Sequence, residues 1–505
     1  MDISSTFSSS LTLFLLLSAL FILFSWLFCY YHSLIKCLIS FYKNRTRLLD
    51  WFTNLLIESP THTIVVHRFG APRTIITANP GNVEYILKTH FANFPKGKPF
   101  TEILGDFLGR GIFNVDGELW HTQRKLASYE FTAKSLREFL VSTLEEEMEK
   151  RLFPILESAM DTGRVIDLQE LLGRFTFDTV CKLSLGHDPC FLDREEAAPP
   201  LLAEAFDVAS EISARRGAAP VFVVWKMKRA LCIGSERKLK KAIRQIHVSV
   251  QEMINEKKMR SDGVDLLSRL IQSGLDDEVI RDMAISFIMA GKDTTSAAMT
   301  WLFWLLSRHP DVEEELVNEI EEVVVKGNGG SFGYEELKEM RFLQASLCES
   351  MRLYPPVAWD SKHAVADDKL PDGTNVRKGD RVTYFPYGMG RMEALWGKDR
   401  LEFRPDRWLD TEGSGLKKVS PFKFPVFQAG PRVCLGKEMA FIQMKYVMAS
   451  ILSRFRLRPV RSDQPKFVPL LTAHMAGGFK VQICSRDSSS LPSSFPLQHQ
   501  MTQEF

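Results

Sequence analysis

The sequence predicts a mainly α-helical body with a small β region, preceded by one membrane-spanning helix. Three observations carry this. Apolar residues recur at three- and four-residue spacing through most of the chain after Ser135. Short β-prone runs bounded by Gly and Pro cluster before Pro80 and after Pro355-Pro356. Residues 11–31 hold no charge and are dominated by Leu, Phe and Ile.

That N-terminal run would form a helix about 30 Å long, enough to cross a bilayer. It exceeds a typical signal-peptide core and no small-residue cleavage site follows it, so an anchor is the reading and a cleaved signal the alternative. Only Asp2 is charged before the span, whereas Lys36, Lys43, Arg45 and Arg47 follow it. The positive-inside bias therefore puts everything after residue 32 in the cytosol. The expected organisation is a short lumenal end (1–10), the anchor (11–31), a linker (32–60), one folded domain (61–485) and a disordered tail (486–505) rich in Ser, Gln and Pro.

Within the body, strands are expected at 64–66 and 74–77 around the turn at Gly70, and Asn79-Pro80 opens a helix toward Thr89. Helical periodicity covers 137–157, 167–185, 236–258, 276–309 and 311–325, then resumes over 334–354 until Pro355-Pro356 stops it. Turn residues at 371–373 and 378–380 bracket a hairpin, a long loop spans 388–432, and a last helix covers 437–455. No internal repeat is present.

The chain of 505 residues is long enough for two or three domains or one large enzyme domain. With 45% hydrophobic residues, 25% charged residues and a net charge of +2, it has no dominant basic stripe, which argues against nucleic acid as a partner. No two of its eight cysteines stand at the spacing of a zinc knuckle or redox pair. Most read as free thiols in a reducing compartment.

Cys434 is the exception, within Phe427-Gln428-Ala429-Gly430-Pro431-Arg432-Val433-Cys434-Leu435-Gly436. Glycines at 430 and 436 let bare backbone approach a flat macrocycle, and the start of the following helix favours a negative sulfur. The stretch resembles the cytochrome P450 haem-binding signature and fills each of its fixed positions, Phe427 included. The resemblance implies the P450 fold, haem b as cofactor and Cys434 as the axial ligand of its iron. Such a ligand favours O–O cleavage.

Further segments follow the family's order. Glu349 and Arg352 share a helix face and match its Glu-x-x-Arg motif, with Arg407 as the partner arginine. The family's usual Glu and Phe around that arginine are here Asp406 and Trp408. The implied role is folding and haem retention. Residues 290–295 interrupt an apolar helix with Gly291, a charge pair and two hydroxyls, which suggests proton delivery along a locally loosened helix. The resemblance places Asp293 and Thr294 in the acid and alcohol positions. Ala290 stands where animal fatty-acid hydroxylases carry the glutamate that esterifies haem, so that covalent link is excluded. Trp120 and Arg124 match the Trp-x-x-x-Arg helix, whose arginine can pair with a haem propionate. Arg432 and His363 are further propionate candidates by resemblance, a plain surface histidine being the alternative for His363.

Local wording at 360–363, 387–392, 427–430 and 469–475 is similar to plant family 94. That resemblance implies oxidation at the methyl end of fatty acids, of jasmonoyl-isoleucine or of sterol side chains, with O2 and with electrons from NADPH through NADPH-cytochrome P450 reductase, at the endoplasmic reticulum membrane. Residues 215–229 lean toward the jasmonate-conjugate branch. Candidate pocket walls by position are Phe100, Phe287, Val357, Trp359 and Leu471, for each of which core packing is the alternative. Arg215 or Arg216 could hold a carboxylate head or touch lipid phosphates. Residues 31–44 lack the proline- and glycine-rich hinge usual in the family. A reductase-independent hydroperoxide isomerase and a non-catalytic haem-binding membrane protein are the competing classes.

Overall fold

The structure, a computed structural model, describes residues 35–486 except 69, 133, 194–200, 261–264, 327–331, 411–414 and 462–463. The expected anchor and all of the expected tail but Arg486 lie outside the described residues. Among those described, no helix is long and apolar enough to cross a membrane.

The described part of the expected linker, residues 35–60, is instead folded. Residues 35–43 are helical, and α1 (Leu48–Glu58) buries Leu49, Phe52 and Leu56, spaced three and four apart as a core-facing helix requires. The Phe52 ring meets Phe41 at 5.6 Å, Trp359 at 6.4 Å and Phe385 at 6.5 Å, so this segment closes one side of the sheet core.

The longer helices are α2 (Gly97–Leu108), α3 (Gly117–Thr132), α4 (Lys134–Glu147), α5 (Leu168–Leu185), α6 (Leu201–Ala218) and α7 (Phe222–Leu231). They continue with α8 (Ser235–Arg260), α9 (Asp277–Leu306), α10 (Pro310–Lys326), α11 (Arg341–Leu353) and α12 (Lys437–Arg454). The strands are β1 (Thr63–Val66), β2 (Thr74–Thr77), β3 (Ile166–Asp167), β4 (Asp360–His363), β5 (Arg381–Tyr384), β6 (Phe455–Pro459) and β7 (Lys480–Ser485), with shorter pairs between. One sheet has the order β1-β2-β5-β4, in which only β2 and β5 run parallel, and a second has the order β3-β7-β6. The expected hairpin forms between Asp368–Lys369 and Asn375–Val376.

Helix α9 organises the molecule. It is 30 residues long and buried on most faces, because apolar residues surround its axis instead of forming one stripe. It packs against α5, α8, α11 and α12. At its far end Trp301 stacks on Tyr354 at 4.1 Å, which fixes the exit from α11 before Pro355.

Two expected helices are divided. The 137–157 run is α4, a π-turn (Met148–Leu152) and a further helix (Phe153–Thr162), with Pro154 in the first turn of the latter, where its missing N–H costs nothing. The 334–354 run breaks at Met340, whose ψ of 81° ends one helix and starts α11.

Candidate functional site

The cysteine loop is built by its backbone. The Cys434 N–H donates to the Phe427 carbonyl at 2.8 Å, closing the loop, while Gln428 and Gly430 take φ of 61° and 64°. Gly430 is obligatory for a second reason: a Cβ there would lie 2.0 Å from the Leu87 carbonyl oxygen. Phe427 packs on Phe441 of α12 at 5.2 Å. The Cys434 side chain is ringed by protein yet open on one side. Burial pushes its thiol pKa up, while the Gly436 N–H, Arg124 and Lys437 pull it back.

Helix α3 delivers two of the expected residues to this loop. Arg124 Nη2 donates to the Val433 carbonyl at 2.5 Å, and the buried Trp120 ring lies 4.5 Å beneath the Arg432 guanidinium. Arg432 Nη2 reaches Asp116 at 2.7 Å and the Val115 carbonyl at 2.8 Å. Its Nε is buried with no partner among the described residues.

The next strand adds cations that sequence reasoning missed. Asp360 on β4 accepts from Lys96 Nζ at 2.7 Å, Gln428 Nε2 at 2.9 Å, Tyr384 OH at 3.0 Å and Lys362 Nζ at 3.3 Å. Lys96, Lys362 and Arg432 thus share two carboxylates, Asp360 and Asp116. Burial lowers the Lys362 pKa to about 7; Asp360 opposes the shift, and Lys96 and Arg432 deepen it. The cluster has more positive charge than its own acids neutralise. The available signal was a lysine beside Asp360 in the segment that follows Pro355-Pro356.

His363 is not the surface histidine of the alternative reading: it is buried, and strand alternation turns it to the face of Ser361 and Arg381. Its Nδ1 lies 2.6 Å from the Lys96 carbonyl, and burial lowers its pKa to about 4.

Helix α9, whose Phe287 shares an apolar cluster with Leu435 of the loop, carries Asp293 and Thr294. The expected loosening is absent: the helix is continuous, and Thr294 Oγ1 donates back to the Ala290 carbonyl at 2.6 Å. Gly291 serves contact instead, since a Cβ there would meet Val180 Cγ2 of α5 at 2.5 Å. Lys292 is buried, with Nζ bonded to Asp207 of α6 and 3.2 Å from Asp293. Burial works against its charge, but Asp293 and Asp207 outweigh burial and raise its pKa.

Glu349 and Arg352 are not a surface pair; both are fully buried. Arg352 Nε and Nη2 reach Glu349 at 2.7 and 2.8 Å, and Arg407 Nε does so at 2.8 Å. Trp408 Nε1 adds a bond at 2.9 Å and the Arg404 N–H one at 3.0 Å. The departure at Trp408 has a physical reason: indole supplies an N–H that a phenyl ring cannot.

Among the expected pocket walls, Phe287, Phe100 and Leu471 border one apolar cluster that also takes in Leu435 beside the cysteine. Val357 is half-buried. Trp359 lies elsewhere, against Phe52 and Phe385, because it belongs to the sheet core. Arg216 is also unavailable to a ligand: it is buried against Glu236 at 3.0 Å and Asp106 at 2.9 Å. Arg215 is exposed and paired with Glu211.

A helical body pierced by α9, with a glycine-flanked cysteine loop packed into the same apolar cluster, is the architecture of one protein class, and the comparisons agree. The family model for cytochrome P450 matches residues 56–479, and the chain belongs to that family of oxidoreductases, the P450 monooxygenases. Its relatives narrow the branch to family 94. The chain is 60% identical to Cytochrome P450 94B1 of Arabidopsis thaliana over 90% of its own length and 91% of the relative's. It is also 60% identical to Cytochrome P450 94B3 of the same plant, over 90% and 91%, and 46% identical to Cytochrome P450 94A1 of Vicia sativa, over 90% of each. A crystal structure of the cytochrome P450DA heme domain superposes with a TM-score of 0.74 at 21% identity, covering 87% of this chain and 93% of that one, a likeness of fold.

The family implies haem, and the residues present fit it. A flat ring with two carboxylates suits a thiol open on one side, the orphaned Arg432 Nε and the unneutralised lysines.

Proposed function

We propose that the chain hydroxylates the terminal carbon of an elongated, acid-headed lipid, jasmonoyl-isoleucine or a fatty acid, with Cys434 as the thiolate ligand of haem iron. The observation that carries this is the pairing of the open Cys434 loop with a helix bearing Asp293 and Thr294. Bound there, haem would supply dioxygen binding and O–O cleavage. Arg124, Arg432, Lys96 and Lys362 would balance its carboxylates, and the Glu349 knot holds α11 against the 404–408 segment.

Thr294 Oγ1, tied to the Ala290 carbonyl, offers its lone pairs and can pass on a proton that Asp293 relays from solvent. A terminal methyl C–H bond is stronger than its methylene neighbours, so position must overrule reactivity. A narrow wall of Phe287, Leu471 and Phe100 that admits the chain end first achieves this through effective concentration. Electrons come from NADPH through NADPH-cytochrome P450 reductase. The apolar 11–31 run and the basic residues after it support an endoplasmic reticulum anchor with the body in the cytosol.

The test is incubation of the full chain with reductase, NADPH and ¹⁸O2 on dodecanoic acid and jasmonoyl-isoleucine. One labelled oxygen on the terminal carbon is expected, and mainly in-chain alcohols from both would overturn the reading.

A further inference from the structure

We propose that Arg68 and Arg381 form a carboxylate-binding subsite beneath the α6–α7 connection, where the acid head of the substrate is held. This rests on the function proposed above and assigns residues to its head group.

Most buried arginines of the chain face an acid: Arg216 meets Glu236, Arg352 and Arg407 meet Glu349, and Arg432 meets Asp116. Arg68 and Arg381 do not. Arg68 Nη1 donates to the carbonyls of Gly217 at 3.0 Å and Ala219 at 3.3 Å, and its guanidinium lies 4.8 Å over the Phe222 ring. Arg381 Nε donates to Ser361 Oγ at 2.9 Å and Nη1 to the Gly217 carbonyl at 3.5 Å. Among the described residues no carboxylate pairs with either, although Asp380, one residue away, is used by Arg73 at 2.5 Å. Among the described residues, Arg68 Nε and Nη2 and Arg381 Nη2 have no hydrogen-bond acceptor.

Capping the C-terminal carbonyls of α6 accounts for one guanidinium and not for two brought together. Burial lowers the Arg68 pKa to about 9, with Arg381 adding to the shift, and burial lowers Arg381 to about 10 against the pull of Asp360. Two neighbouring guanidiniums with no carboxylate hydrogen-bonded to either among the described residues repel each other, and a carboxylate offers two oxygens to such forks. An apolar wall begins beside the arginines, where Ile103 of α2 comes 3.8 Å from the position of a Gly217 Cβ. A head held there can run its chain along α2 toward α9.

The experiment titrates dodecanoic acid and its methyl ester into the haem-loaded full chain and follows the haem spin-state shift. That shift registers only ligands whose tail reaches the haem, so phospholipid at the surface is silent. The acid should bind about ten- to a hundredfold tighter than the ester, the range of hydrogen bonds to a charged group. Arg68→Gln and Arg381→Gln should each bring that ratio toward one, and Arg68→Lys should restore part of it. Both arginines are half-buried, and the Arg68 variant carries the test if Arg381→Gln fails to fold. An unchanged ratio in a Gln variant with an intact thiolate spectrum overturns the subsite. Terminal hydroxylation of acid and ester with equal affinity also overturns it while leaving the proposed function standing; no terminal product from either overturns that function.

Discussion

Glu349→Gln is the substitution whose cost is best defined. The carboxylate accepts five hydrogen bonds, from Arg352 twice, Arg407, Trp408 and the Arg404 backbone, at 2.7–3.0 Å and with no exposure. The amide keeps the shape, removes the charge that neutralises two guanidiniums, and turns an NH2 group toward N–H donors. Removing one partner of a buried ion pair costs about 3–5 kcal/mol. Unfolding entropy scaled to a chain of this length gives about 1 °C in Tm for each kcal/mol. A drop of about 3–5 °C is expected by circular dichroism, with haem lost earlier on heating. The contrast is Glu146→Gln, which removes an exposed pair with Lys150 and should move Tm by less than about 1 °C. Equal, negligible shifts in both variants would refute the reasoning.

Thr294→Ala should keep haem but lower product formed per NADPH consumed, because the alcohol that passes on the proton is gone; unchanged coupling would make Thr294 a helix-packing residue. Glycine substitutions should differ in sign. Gly291→Ala drives a Cβ to 2.5 Å from Val180 and should cost about 1–3 kcal/mol, whereas Gly173→Ala, also inside a helix but with nothing within 4 Å, should gain about 0.5–1 kcal/mol; urea unfolding reads both. Haem affinity of the apoprotein should fall as pH rises through about 7, because Lys362 deprotonates there and the haem carboxylates favour its charged form. Lys362→Arg should flatten that profile, and a pH-independent wild type would remove Lys362 from the haem site.

The strongly periodic helices were legible, with α5, α8, α9 and α10 matching expectation to within a few residues. So were β1, β2 and the late hairpin, since β-prone residues and turn signals coincide there. Helices α6 and α7 went unread. Alanine and serine fill much of α6, and α7 is a short run in which Lys and Arg interrupt the apolar residues. The cysteine loop, the Trp120 helix and the Glu349 motif were visible because their spacing is local. What stayed hidden depends on residues far apart in sequence. Lys96 joins Asp360 across the fold, and whether Arg216 faces a ligand or Glu236 follows from how α6 and α8 pack. The direction of His363 required the pairing of β4 with β5, which no local pattern encodes.

The central claim is that Cys434 is the thiolate on haem iron, and its most direct test is the absorption spectrum of the reduced, carbon-monoxide-bound protein. Wild type should show the strongly red-shifted Soret band of a thiolate-ligated haem. Cys434→Ala, which leaves the Phe427 carbonyl bonded to the residue 434 N–H, should lose that band whether or not it retains haem. A thiolate spectrum persisting in Cys434→Ala would contradict the account.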